Sequence, residues 1–183
     1  MFIKRIFVLI ITLAVLSGLF ISHVHAAESP QELEWTDLIP QGFNPDEVLA
    51  QYQKEYDIDN LSDDDPRIAE LTKKLEALMK DAPVNDSLAG KTVRLPGFVV
   101  PLETDGEKSS EFLLVPYYGA CIHVPPPPAN QTIHVTTRDK KGAAIRQLFD
   151  VVWVTGVIDV EQFSSDLADA GYTIDATKVE PYE

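Results

Sequence analysis

The chain reads as a mainly β protein: a small five-stranded, OB-like Greek-key barrel behind an N-terminal helical arm, with a β-sandwich as the alternative. Three observations predict this. Residues 27–90 carry 16 acidic and 5 basic side chains, whereas residues 91–183 carry 13 and 8. Three- and four-residue spacing of apolar side chains ends near the same boundary and gives way to β-branched runs. One such run, Val151 to Ile158, places apolar residues on both faces, as a strand in a closed or covered sheet does. The expected organisation is a signal peptide over 1–26, an acidic helical arm over 27–89 and the barrel over 90–183.

Lys4 and Arg5 precede an unbroken apolar run from Ile6 to Leu16, and the segment closes on Val24-His25-Ala26. This is the three-part pattern of a secretory signal, with cleavage expected after Ala26. The rival is a retained anchor, since Ile6 to Val24 is nearly long enough to span a bilayer. No cysteine stands near the junction to be acylated. Without Lys4 and Arg5 the chain holds 13 basic against 29 acidic side chains, a net charge of −16. Such a surface repels nucleic acid and anionic headgroups and favours cations or basic partners.

In the arm, Glu34 to Pro40 is a short anchor expected to pack Trp35 and Leu38 onto the barrel. Asn44-Pro45-Asp46-Glu47 is a helix start with capping-box spacing, and Val48, Leu49 and Tyr52 supply that helix's apolar side. A second helix starts at Asp65-Pro66, repeats Ile68, Leu71, Leu75 and Leu78, and ends near Lys80 ahead of Pro83. Asp57, Asp59, Asp63, Asp64 and Asp65 do not make a calcium loop. Counted from Asp57, Ser62 stands where glycine is required and Ile68 where the terminal glutamate belongs.

Five strands are expected in the barrel. Lys91 to Leu102 is one long strand bent at Pro96-Gly97, where glycine suits a bulge or sharp coil. Glu111 to Tyr117, Gln131 to Thr137, Val151 to Ile158 and Gly171 to Val179 are the others. Ala143 to Phe149 reads as a helical turn, and Phe163 to Ala170 as a short helix or helical turn. The chain has no glycine-rich phosphate loop and no internal repeat.

The chemistry concentrates in Pro116 to Val135. It contains the sole cysteine, Cys121, and the two histidines outside the apolar leader, His123 and His134, around the proline run Pro125–Pro128. One cysteine in an exported chain has no internal disulfide partner, so it is buried, paired with another molecule or bound to metal. If Cys121 to Val124 is extended, Cys121 and His123 share a face with Cα atoms roughly 6.5–7 Å apart. In the next strand Ile133 and Val135 face the core, which leaves His134 on the outer face. The semi-rigid prolines must arch and return the chain beside the preceding strand. A Cys-x-His with a distant His suits a three-ligand site for zinc, or copper as the alternative. Water, Tyr117, Tyr118 or Glu103 is the candidate fourth ligand. Tyr117, Tyr118, Glu103, Asn130 and Gln131 are candidate pocket residues, with Asn130 and Gln131 expected chiefly to tie the arch down. The competing reading is a small buried cysteine beside two ordinary polar histidines. Nucleophilic catalysis by Cys121 has thin support, because neither a glycine-rich oxyanion turn nor a helix start follows it. The triplets at Asn85 and Asn130 match the glycosylation pattern, which matters only in a eukaryotic secretory pathway.

The motifs Trp35-Thr36-Asp37-Leu38-Ile39-Pro40, Gly97-Phe98-Val99-Val100-Pro101-Leu102-Glu103, Tyr118-Gly119-Ala120-Cys121-Ile122-His123-Val124-Pro125-Pro126-Pro127-Pro128-Ala129-Asn130-Gln131 and Val152-Trp153-Val154-Thr155-Gly156 resemble those of an uncharacterised family of Gram-negative exported proteins. That family is a domain of unknown function, often in lipoproteins and often encoded near ABC-type transporters. The resemblance implies a periplasmic home and no established activity. Lacking a lipidation cysteine, this chain is expected to be soluble, with no stable membrane anchor after cleavage. The expected function is a metal-binding accessory or carrier serving an ABC-type transport component and not an enzyme. The alternative is a metal-free module that docks a partner through the proline arch.

Overall fold

A computed structural model describes residues 29–182 apart from 63, 104–107, 122–125, 139–141 and 146. The expected signal peptide and His123 lie outside the described residues. The elements in chain order are β1 (Gln31–Glu32), α1 (Pro45–Tyr56), α2 (Arg67–Lys80), β2 (Thr92–Glu103), β3 (Lys108–Ser109), β4 (Glu111–Val115), β5 (Ile133–Thr137), β6 (Ala143–Ala144), β7 (Val151–Asp159), β8 (Phe163–Ser164), β9 (Asp169–Ala170) and β10 (Tyr172–Pro181).

The protein is mainly β, with two helices and a closed barrel of five strands. The ring runs β2, β4, β5, β10, β7 and back to β2. All neighbours are antiparallel except β5 and β10, which are parallel, and β1 adds a short parallel strand to β2. Closure depends on β2 having two partners. Thr92 to Phe98 pairs with β7, and Phe98 to Glu103 pairs with β4. The strand therefore changes partner at Phe98, just after Pro96-Gly97. The bulge does not fall there but between Pro101 and Glu103. Gly97 instead serves close approach, since a Cβ would lie 2.7 Å from Leu114 Cγ and 2.9 Å from Trp35 Cζ2.

Inside the barrel, Val93, Leu95 and Val99 of β2 meet Phe112, Leu114, Ile133, Val135, Val154, Ile158 and Ile174. A second buried cluster coats the outside of β2 and β4, built on Val100, Leu113, Val115, Ala120, Phe149 and Ala168. This explains why Phe112 to Val115 does not alternate: the strand is covered on both faces.

The N-terminal segment is pinned at the barrel's surface by apolar burial and hydrogen bonds. Leu33, Leu38 and Leu88 are buried in the main core, and Trp35 Nε1 donates to Pro96 O at 2.8 Å. The Tyr172 hydroxyl, wholly buried, donates to Leu38 O at 2.6 Å and accepts from Asn85 N. At the start of α1 the Asn44 side chain donates to the Glu47 carboxylate at 3.1 Å. Leu49, expected on the apolar side, is 45% exposed, and Tyr56 is buried instead. Ahead of α2 the Asp65 carboxylate accepts the Arg67 backbone N–H and pairs with its guanidinium. Those two interactions hold its pKa down at about 2.

Three sequence expectations are corrected. Phe163 to Ala170 is not helical: β8 and β9 pair as a hairpin. The Ser165 hydroxyl accepts the Leu167 and Ala168 N–H groups, a local bond that competes with helix formation. Ala143 to Phe149 opens as β6, which pairs with β3, because Gly142 at φ +76 turns the chain into the strand. Cys121 is not extended. It has φ +68 and follows Gly119 at φ +84, so the alternation argument for Cys121 and His123 does not apply. Among the described residues, no helix is long and apolar enough to cross a membrane.

Candidate functional site

The outer face of β4 and β5 carries the candidate chemistry. Cross-strand pairing sets Glu111 against Thr136 and Leu113 against His134, so Glu111, Leu113 and His134 share one face. His134 stands outside the barrel core, as its strand parity predicts, yet it is only 9% exposed. The Phe163 ring lies flat on it, with centroids 3.6 Å apart and planes 4° from parallel. Its Nε2 is 2.7 Å from Glu111 Oε1. A carboxylate on one ring nitrogen fixes the tautomer and leaves Nδ1 as the nitrogen for a second partner.

Cys121 packs against the same outer cluster that includes Leu113, the cross-strand neighbour of His134, and Phe163, its stacking partner. Cys121 and the ring that stacks on His134 thus both border the outer apolar cluster. The left-handed backbone of Cys121 is unusual for a residue with a side chain. Burial pushes the Cys121 thiol up to about 11, so without metal it is a neutral thiol at pH 7. Burial first, and then the Cys121 charge, also raises the Tyr117 phenol.

A pH prediction follows. With a thiol near 11, the thiolate fraction at pH 7 is about one in ten thousand. Iodoacetamide should label the metal-free protein slowly, and the rate should climb about tenfold per pH unit between 7 and 9 without levelling off. A plateau below pH 8.5 would show an activated cysteine and revive the nucleophile reading.

The other candidate residues take separate roles. Tyr118 is 68% exposed and rests on Phe149 and Phe98, with centroids at 4.8 and 6.2 Å. The Glu103 carbonyl accepts from the Ser109 hydroxyl at 2.6 Å. Asn130 Nδ2 donates to Pro83 O and Gln131 Nε2 to Trp35 O, both at 2.8 Å, so this pair does tie the arch down. At 2% exposure, Asn130 is too buried to accept a glycan in the folded protein. Among the described residues, no three His, Cys, Asp or Glu side chains converge as a ligand set. The sequence reading missed Glu111 and Phe163. A glutamate opening an otherwise apolar strand was the available signal for the first; the mistaken helix hid the second.

Fold and site together define a closed five-stranded β-barrel protein with two helices and a His134–Glu111 pair on the barrel's outer face. The DUF3299 family profile, described as a protein of unknown function, matches residues 35–181. The chain belongs to the DUF3299 family. A crystal structure of a DUF3299 family protein from Pseudomonas aeruginosa PAO1 is 41% identical, with a TM-score of 0.63 over 85% of this chain and 97% of that one. An OBody solved bound to hen egg-white lysozyme matches at 18% identity over 53% of this chain and 84% of its own, and its TM-score of 0.32 carries no argument. No curated protein matches the chain.

Proposed function

We propose that this protein is an exported, periplasmic metal-binding accessory or carrier whose centre uses Cys121, His123 and His134. Zinc is the first choice of metal and copper the second. The observation that carries the reading is the His134–Glu111 contact beside the Cys121 cluster. A metal-ligating imidazole ordinarily hands its other nitrogen to a carboxylate, and here Glu111 occupies that position. His123, two residues after Cys121, supplies the third ligand, and water, Tyr117, Tyr118 or Glu103 completes the fourth position. Binding metal removes the proton from the thiol, which offsets the cost of burying it. The Ile6–Leu16 leader and the family resemblance support export from a Gram-negative cell and service to an ABC-type transporter. The strand order, with β5/β10 the one parallel pair within the closed ring, supports assigning the barrel to the OB Greek-key type with a helical arm in front.

Metal analysis of the purified protein tests this. The reading predicts about one zinc or copper per chain, loss of it in Cys121→Ala, and affinity weakened roughly 10–100-fold in Glu111→Gln. Equal and negligible metal in wild type and Cys121→Ala would end it.

A second reading has its own observation. A cavity of about 510 Å³ separates α2 from the proline arch, lined by Leu75, Met79, Pro126, Pro127 and Ala129, with Glu76, Lys80 and Asp169 at its rim. A partner segment docking there makes the protein an interaction module that needs no metal.

A further inference from the structure

At the far end of β10 lies a cavity of about 370 Å³, unrelated to the patch around Cys121. Its walls are Thr137 and Arg138 after β5, Gly142 to Ala144 around β6, and Ala176 to Val179 of β10. In a chain of net charge −14, the charged residues that line this cavity, among the described residues, are Arg138 and Lys178. The β10 register skips Thr177 here, so a bulge re-aims the chain between Ala176 and Lys178.

Two further facts point to a ligand. Thr137 is 8% exposed, and its buried hydroxyl has no hydrogen-bond partner among the described residues. An unpaired buried donor is costly, and an acceptor oxygen entering the cavity removes that cost once the side chain turns to meet it. Among the described residues, the ion pairs of both cations are exposed ones: Arg138 Nε is 2.9 Å from Asp175, and Lys178 Nζ is 2.8 Å from Glu180. Exposed ion pairs of this kind are weak and readily give way to a better anion.

From these we infer that the cavity between β5, β6 and β10 is a binding site for a phosphate-type oxyanion. Arg138 and Lys178 supply the charge, and Thr137 supplies a neutral donor. A guanidinium, an ammonium and a hydroxyl around a small polar cavity suit a tetrahedral group with several acceptor oxygens. The group belongs either to a soluble phosphate ester or to a lipid headgroup.

The test is titration of the purified protein with inorganic phosphate against chloride of equal ionic strength, followed by amide NMR. Perturbation should concentrate at Arg138, Gly142 to Ala144, Thr177 and Lys178. Arg138→Gln and Lys178→Gln should each weaken binding roughly fivefold. Glu180→Gln, which frees Lys178 from its competing carboxylate, should tighten it. Thr137→Val should weaken phosphate binding while leaving the fold at least as stable, because it removes the orphaned hydroxyl. Cosedimentation with phosphatidylglycerol vesicles, absent with phosphatidylcholine and lost in Lys178→Gln, assigns the headgroup source; phosphate binding without sedimentation assigns the soluble one. A wild-type response no greater than that to chloride, with no sedimentation, overturns the proposal. So does a Glu180→Gln variant that binds phosphate no more tightly than wild type.

Discussion

Gly156→Ala should lower stability by about 3 kcal/mol, near the upper end of overpacking costs, and the melting temperature by about 6–12 °C. Gly156 sits in β7 opposite Ala176 of β10, where the two strands approach closely. A Cβ there would lie 2.4 Å from Asp175 O, 2.7 Å from Ile174 Cγ2 and 2.8 Å from Ala176 Cα. Two of those three atoms are backbone, so relief requires the ladder that closes the barrel to move. Gly90→Ala is the informative control. That glycine has φ +75 and open space around it, so alanine incurs only the left-handed backbone cost of roughly 1–2 kcal/mol. Thermal unfolding of both variants should rank them in that order. Equal losses would mean that the β7/β10 contact is looser than described.

Tyr172→Phe ranks next, at about 2–4 kcal/mol, because one hydroxyl serves two backbone groups in a dry site. The Tyr172 hydroxyl donates to Leu38 O and accepts from Asn85 N, and the residue has no solvent exposure. Phenylalanine keeps the ring volume and leaves an acceptor and a donor unpaired. Both belong to the segment ahead of β2, so the variant should release that segment before the barrel melts. Hydrogen exchange checks this: protection at Asn85 should fall while β2 and β7 stay protected. A uniform loss across the barrel would show instead that the segment and the barrel unfold as one unit.

The barrel was legible because its strands carry their own signals. The β-branched run around Trp153 describes a local backbone form that tertiary contacts preserved, as strand β7. Misreadings came where a local hydrogen bond or a single φ decided the outcome. Ser165 bonding to the N–H groups ahead of it turned an apparent helix into the β8/β9 hairpin. Cys121 at φ +68 broke the two-residue alternation, and periodicity has no means of signalling a left-handed residue that is not glycine. The outward aspect of His134 was readable from Ile133 and Val135. The Glu111 contact was not, because it depends on the β4/β5 register, which turn residues outside the strands set.

The account depends most on one sulfur and two imidazoles sharing a metal ion on the barrel's outer face. Zinc-edge X-ray absorption on the loaded protein measures that shell directly. The account predicts about one sulfur near 2.3 Å and two or three nitrogen or oxygen neighbours near 2.0–2.1 Å, with the sulfur lost in Cys121→Ser. A shell of nitrogen and oxygen alone, unchanged by that substitution, would contradict it.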